Sequence, residues 1–376
     1  MSTLWGISAL SHDAALAVIK DRQLVFASHS ERYSRVKNDK NLHWHLIRDA
    51  LNYGSPEKIF YYEKPFLKLT RNIYARQWDV VDRNLKDKPV TFGPSFDIDL
   101  PTNIQALDEI IKRYNIDSCI HFAGSASVAE SVEHPALYYK NNVISTIALL
   151  DKLLEHDIKT FVYSSSAATY GDPGIKMCKE DDVPKPISAY GGSKLMMEMI
   201  CRDYMTAYGL SSIGFRYFNA AGADPEAEIG ELRDKETHII PLAITAARQG
   251  KTFKMFGNKY NTEDGTCVRD YVHVMDLADA HVKALKYASE NLVAEVFNLG
   301  SGAPASNKQL LDTVQRHTGK MNIEFHDNRA GDPPYLVADI SKAKETLKWT
   351  PTQSSIDNVV STAVQWYNKV HKKDIQ

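Results

Sequence analysis

From residue 89 to about residue 220, short apolar runs rich in β-branched residues alternate with longer stretches of helical period, and that alternation leaves few folds open. Val90–Phe92 reads as a strand, Asn103–Arg113 as a helix, and Ser118–Phe122 as a strand that ends in Ala123-Gly124. A long helix over about Pro135–His156 leads to a strand at Thr160–Ser164, a helix from Tyr190 to Tyr208 and a strand at Ser212–Phe218. Strand and helix in turn predict a parallel sheet covered on both faces, because each crossover lays a helix over the strands it joins. Beyond residue 220 the pattern loosens and Gly, Asp and Pro become frequent, as suits a smaller lobe that builds a pocket. Residues 1–63 are of another kind: a strand at Leu4–Leu10, a hairpin from Ala14–Ile19 to Leu24–Ser28 turning at Lys20-Asp21-Arg22, a helix over about Leu42–Tyr53 and a strand at Lys58–Tyr62. The stretch 64–96, with Pro65, Pro89, Gly93 and Pro94, reads as a connector. The expected units are therefore 1–88, 89–220 and 221–376, and no internal repeat crosses them.

Charge separates the same units. Residues 1–90 hold 15 Lys plus Arg against 10 Asp plus Glu, and the remainder holds 30 against 37, which gives the net charge of −2 for the 376 residues. So near a balance argues against a nucleic-acid partner, whose phosphates call for a basic excess. No uncharged apolar run approaches the roughly 18 residues of a membrane helix, and Asp13 interrupts the N-terminal stretch where a signal peptide needs an apolar core. Cys119, Cys178, Cys201 and Cys267 are scattered without a C-x-x-C pair, as expected of thiols in a reducing cytoplasm. His43-x-His45 has no further ligand cluster beside it, so no metal is expected.

The chemistry is concentrated in two short motifs. Ser164-Ser165-Ser166 closes a strand, and 24 residues after Ser166 comes Tyr190-Gly191-Gly192-Ser193-Lys194. Tyr190 and Lys194 are four apart and so share a helix face. A free phenol titrates near 10 and is a poor base at neutral pH, but a neighbouring ammonium favours the phenolate. Ser166 would then bridge Tyr190 and a substrate hydroxyl. The spacing alone is weak, since Tyr33 and Lys37 repeat it without a serine strand.

His121-Phe122-Ala123-Gly124, Ser164–Gly171, Tyr190–Lys194 and Arg216-Tyr217-Phe218-Asn219 resemble the extended short-chain dehydrogenase/reductase family. Within that family Phe256-Gly257-Asn258, the run Thr262–Val274 and Arg329-Ala330-Gly331-Asp332-Pro333 are similar to the UDP-glucose 4-epimerases, over about residues 89–370. The resemblance implies an α/β fold with a Rossmann-like doubly wound parallel sheet and a smaller C-terminal substrate lobe. It implies NAD held by Phe122, Ala123, Gly124, Asn141, Ser164, Tyr190, Lys194 and Phe218, with Asp97 and Ile98 near the adenine. It places a UDP-sugar on Ser166, Asn219, His238, Phe256, Arg269, Arg329 and Asp332; paired arginines suit a pyrophosphate because guanidinium groups bind its oxygens two at a time. Ser166, Tyr190 and Lys194 would be catalytic. The size of the residue at Leu336 would govern whether an N-acetyl group fits. The helices 135–156 and 190–208 would pair with their copies in a homodimer; the first carries Val143, Ile147, Leu150 and Leu154 on one stripe and Thr146, Leu149 and Leu153 on another, and the second adds Leu195, Met199 and Ile200.

Two departures stand out. Ala126 replaces the lysine the family commonly has there, and the Gly-rich phosphate turn of a first βαβ unit is missing, because residues 1–96 contain only Gly6, Gly54 and Gly93. In its place Gly6–Ala15, Glu31–Arg35 and Tyr61–Pro65 resemble the start of the O-carbamoyltransferases, a strand–strand–strand–helix–strand unit that makes 1–88 a foreign α+β segment. Two functions stay open on these grounds. One is NAD-dependent interconversion of UDP-glucose and UDP-galactose through a 4-keto sugar. The other is an epimerase-like fusion that has lost cofactor binding and serves as a binding or structural module.

Overall fold

The structure, a computed structural model, describes residues 3–8, 15–20, 23–29, 58–61 and, apart from 109, 114, 115, 175, 234, 235 and 329–332, residues 107–371. The first four strands, β1 (Thr3–Ser8), β2 (Ala15–Lys20), β3 (Gln23–His29) and β4 (Lys58–Tyr61), form one sheet in the order β3-β2-β1-β4. Neighbours run antiparallel except β1 and β4, which are parallel and therefore require a crossover between them. All four expected strands are present. The expected helix 42–53, the connector 64–96, the strand Val90–Phe92 and the first turn of the helix from Asn103 lie outside the described residues.

The remaining strands are β5 (Ser118–His121), β6 (Thr160–Ser166), β7 (Met177–Cys178), β8 (Ser211–Tyr217), β9 (Asn219–Ala221), β10 (Phe253–Phe256), β11 (Val268–His273), β12 (Ala294–Leu299), β13 (Pro304–Ser306), β14 (Ile323–His326) and β15 (Tyr335–Ala338). Residues 107–113, apart from 109, are helical as expected, and the further helices among the described residues are α1 (Val128–Glu133), α2 (Pro135–Tyr138), a π-helical turn at Tyr139–Ile144, α3 (Ser145–Glu155), α4 (Ala189–Tyr208), α5 (Ile239–Arg248), α6 (Val274–Glu290), α7 (Asn307–Thr318), α8 (Ser341–Thr346) and α9 (Ile356–Val370). The helix read as continuous over Pro135–His156 is thus interrupted by the π turn.

Strands β12-β8-β6-β5 make a parallel sheet in that order, with β5 at its edge among the described residues. The two central strands, β6 and β8, are buried along almost their whole length because both faces are covered, whereas edge strand β5 is only partly buried. Val162, Ile213, Phe215 and Phe297 pack with Leu277, Ala280 and Ala284 of α6, whose alanines let the helix come close. On the other face Phe161 and Tyr163 meet Leu150 and Leu153 of α3 and Met197 and Cys201 of α4. Helix α4 starts where Ser188 Oγ accepts the Gly191 N–H at 3.1 Å and stops at Gly209, whose φ of 70° most side chains avoid.

Helix α6 and strand β12 return to this sheet although they follow residue 220, so the chain crosses the boundary drawn there from composition. The second lobe is built on β13-β11-β15-β7, with β9 pairing β11, and on a core shared by α5, α7 and α9. Tyr271 of β11 stands opposite Asn219 of β9, so the end of the RYFN motif is stitched to the second lobe. Among the described residues no helix is long and apolar enough to cross a membrane.

Candidate active site

A crevice outside the carboxyl ends of parallel strands is where an open α/β sheet receives ligands. Here β5 runs into Phe122-Ala123-Gly124, β6 ends at Ser166, and β8 runs into Phe218. Ser164, Ser165 and Ser166 are all buried, and Ser166 caps the short 3-10 turn Ala167–Thr169 by accepting the Ala168 N–H at 3.1 Å. That bond fixes the hydroxyl at the strand end. Helix α4 lies alongside, and its first turn sets Tyr190 near enough to Ser166 for that hydroxyl to favour the phenolate.

Lys194 is 3% exposed and donates to the Ser164 carbonyl at 2.7 Å and to the Ser164 hydroxyl at 3.0 Å. Burial pulls its ammonium down to about 8. The phenol of Tyr190 moves the opposite way from the sequence expectation: burial raises it above 10, and the Ser166 hydroxyl is what opposes that rise. The physical reason is that removing Tyr190 from water disfavours the phenolate, and Lys194 directs two of its donors to Ser164.

The wall of the site is held by a residue that the sequence did not single out. Asn142, 1% exposed, accepts the Ser125 N–H at 2.8 Å and donates to the Ser125 carbonyl and to Ser193 Oγ, both at 3.0 Å. Ser193 Oγ donates in turn to the Tyr190 carbonyl at 2.7 Å. One amide therefore ties the turn after β5 to the first turn of α4. Its neighbour Asn141, expected to touch cofactor, donates to Ser125 Oγ at 2.8 Å. Both sit in the π turn, whose extra residue re-aims the side chains. The tandem Asn141-Asn142 was the available signal, but a regular helix gave no reason to prefer the second. Gly124 matters because a Cβ there would come within 2.9 Å of Asn142 Oδ1 and 3.6 Å of Lys194 Nζ. The backbone is bare where a flat ligand would have to approach.

The expected substrate residues are more dispersed. Asn219 faces Tyr271 in the β9–β11 register, Phe256 stacks on His326 at 5.2 Å, and Arg269 donates to the carbonyls of Val268 and Pro333 at 3.0 and 2.8 Å. His238 is half exposed and faces Glu231 at 2.6 Å. Phe218 is buried beside Tyr170. The structure thus brings Ser164, Ser166, Tyr190 and Lys194 together with Phe122–Gly124. Asp97, Ile98, Arg329 and Asp332 lie outside the described residues.

Behind the serines runs a buried ion pair. Arg216 of β8 donates to Glu198 of α4 at 2.7 and 3.0 Å, and Ser165 donates to the same carboxylate at 2.5 Å. The guanidinium also lies over the Tyr170 ring, 4.7 Å from its centroid. Arg216→Met should therefore lower the unfolding free energy by about 3–5 kcal/mol, because it leaves Glu198 buried and unpaired. Urea unfolding measures this directly, and a loss below about 1 kcal/mol, the range of an exposed pair, would refute it.

Comparison with known proteins places these residues among relatives. The model of the NAD dependent epimerase/dehydratase family matches residues 66–300. A UDP-glucose 4-epimerase of Halalkalibacterium halodurans is 43% identical over 267 residues, covering 70% of this chain and 80% of the relative. One of Rhizobium meliloti is 45% identical over 269 residues, covering 70% and 81%. The crystal structure of UDP-glucose 4-epimerase from Brucella ovis in complex with NAD superposes with a TM-score of 0.68 at 42% identity, over 70% of this chain and 82% of that one.

Proposed function

This chain belongs to the NAD dependent epimerase/dehydratase family, and from that membership and its serine–tyrosine–lysine geometry we propose that it interconverts UDP-glucose and UDP-galactose. The observation that carries the reading is the Tyr190 phenol, partly buried beside Ser166 and one helical turn ahead of Lys194, whose ammonium is buried on Ser164. Tyr190 takes the proton of the sugar C4 hydroxyl, which Ser166 bridges, and gives it back when C4 is reduced from the other face. NAD, when bound, supplies the two-electron acceptor and donor at C4, so the cycle consumes none. Because burial disfavours the phenolate, the base form depends on positive charge nearby. Lys194 carries that charge below about pH 8 and loses it above.

Phe122, Ala123, Gly124, Asn141, Ser164 and Phe218, at the strand ends, fit the flat end of the cofactor, and Asp97 and Ile98 are assigned to its adenine. Asn219, His238, Phe256, Arg269, Arg329 and Asp332 are assigned to the UDP-sugar. The central unit with α6 and β12 would bind NAD, the rest of 221–376 the sugar nucleotide, and 1–88 would stand apart. Four free thiols support a cytoplasmic location. The direct test is chromatography of UDP-galactose incubated with the chain and excess NAD; no UDP-glucose formed would overturn the reading.

Leu336 stands opposite Arg269 in the β11–β15 register, at the sugar end of the proposed site. Leu336→Tyr should lower kcat/KM on UDP-N-acetylgalactosamine by about tenfold or more while sparing UDP-galactose, since a pocket wall discriminates by steric fit. Equal losses on both substrates would remove Leu336 from the specificity wall.

A homodimer is proposed through the helices that flank Tyr190. Helices α1 to α4 pack on one another, burying Thr146, Leu150 and Leu153 but leaving Val132, Leu137, Ile144, Met196 and Met199 exposed. Exposed apolar side chains gathered on packed helices mark an interface, and a two-fold pairing would cover them on both copies. Light scattering should give twice the 42.3 kDa chain mass. A monomeric mass at micromolar concentration, unchanged by NAD and UDP-sugar, would exclude the dimer.

A further inference from the structure

Two partly buried phenols, Tyr190 and Tyr217, sit at this site. Tyr217 ends β8 directly opposite Ser166 in the β6–β8 register, so their side chains leave the same face of the sheet. Tyr217 Oη lies 2.7 Å from His281 Nε2, and His281 Nδ1 lies 2.7 Å from the Leu277 carbonyl one turn earlier in α6. A carbonyl only accepts, so Nδ1 carries the proton. Burial lowers His281 to about 4, which leaves the ring neutral at physiological pH and Nε2 an acceptor. The direction of the second bond follows: Tyr217 donates to His281. The imidazole is clamped by the rings of Phe122 and Phe215, each 4.8 Å away, and it is 1% exposed.

We propose that His281 is a positioning residue, which holds the Tyr217 hydroxyl as a donor to α6 and so leaves Tyr190 as the one of the two phenols that exchanges the substrate proton. The proposal rests on the epimerase reading for its substrate. The groups bearing on Tyr217 agree with it. Burial and the charge of Tyr190 both raise Tyr217 far above 10, so a proton lost by one phenol makes loss from the other harder. His281 faces it from α6, Ser166 stands beside it on β6, and Tyr190 and Lys194 come from α4. Without the imidazole, the Tyr217 hydroxyl would lose this acceptor next to Ser166 and Tyr190, where it competes for the phenolate and for the substrate oxygen.

The test is a cycle of His281→Phe, Tyr217→Phe and the double variant, with kcat and KM measured on UDP-galactose. His281→Phe should lower kcat by about tenfold, the order expected for a buried hydroxyl set loose, with KM nearly unchanged. Tyr217→Phe should stay near the parental rate, and adding it to His281→Phe should restore most of kcat because the released hydroxyl is gone. An unaffected His281→Phe, or a double variant as slow as His281→Phe, would overturn the role, the latter result being that of plain packing damage. A second readout needs no turnover: nitrogen NMR of the imidazole resonances lost in His281→Phe should show Nδ1 protonated and Nε2 not, with the Nε2 shift displaced in Tyr217→Phe. The reverse tautomer overturns the pair itself. An inactive parental enzyme instead overturns the epimerase reading and, with it, the role assigned to His281.

Discussion

Tyr190→Phe should reduce epimerisation by about 10²–10⁴-fold and leave the fold in place. The substitution removes one oxygen. The ring stays, and with it the edge-to-face packing on Tyr138 at 6.3 Å, so α4 keeps its seat against the π turn. What disappears is the hydroxyl beside Ser166, the atom proposed to accept the C4 hydroxyl proton. Because that proton must leave before C4 can become a ketone, the loss should fall on kcat, with KM changing much less. Thermal unfolding of the variant should remain close to the parental value. A variant that keeps more than half of the parental rate would show that another group is the base.

The site was legible in the sequence wherever its residues sit on elements that local pattern determines. Strand β6 is buried on both faces, so Phe161-Val162-Tyr163 shows as an apolar run, and the polar Ser164-Ser165-Ser166 marks its carboxyl end, still buried, where the site begins. Helix α4 is bounded by Ser188 and Gly209, a capping serine and a left-handed glycine, and its period places Tyr190 over Lys194. Contacts between distant segments were not legible. Lys194 binding to Ser164 depends on how α4 lies across β6, and so does the burial that raises the Tyr190 phenol where the sequence predicted a lowering. Asn142 was overlooked because a π turn has no sequence period to announce it. Tyr217 and His281 are 64 residues apart, joined only because α6 returns to a sheet that composition had closed at residue 220.

The second large effect is expected on the cofactor. In a doubly wound nucleotide-binding sheet, backbone N–H groups of a Gly-rich turn and the helix behind it hold the pyrophosphate. Residues 1–96 offer only Gly6, Gly54 and Gly93, too far apart for such a turn, and Ala126 stands where the resembling family commonly has lysine. Among the described residues β5 is the edge of the sheet, and Phe122–Gly124, proposed to meet the cofactor, follow at its end. Two lost hydrogen bonds to a charged group cost about 1.5–3 kcal/mol each, which weakens NAD about 10²–10⁴-fold relative to a chain that has the turn. The purified protein should therefore release much less than one NAD per chain on denaturation, and its turnover should rise with added NAD to saturation. Such a rise would place the chain among working epimerases whose catalytic half is intact and whose cofactor exchanges. No turnover at any NAD concentration would favour the epimerase-like binding module instead. Stoichiometric NAD with full turnover would refute the expectation and assign the phosphate contacts to residues 1–96 or to another chain.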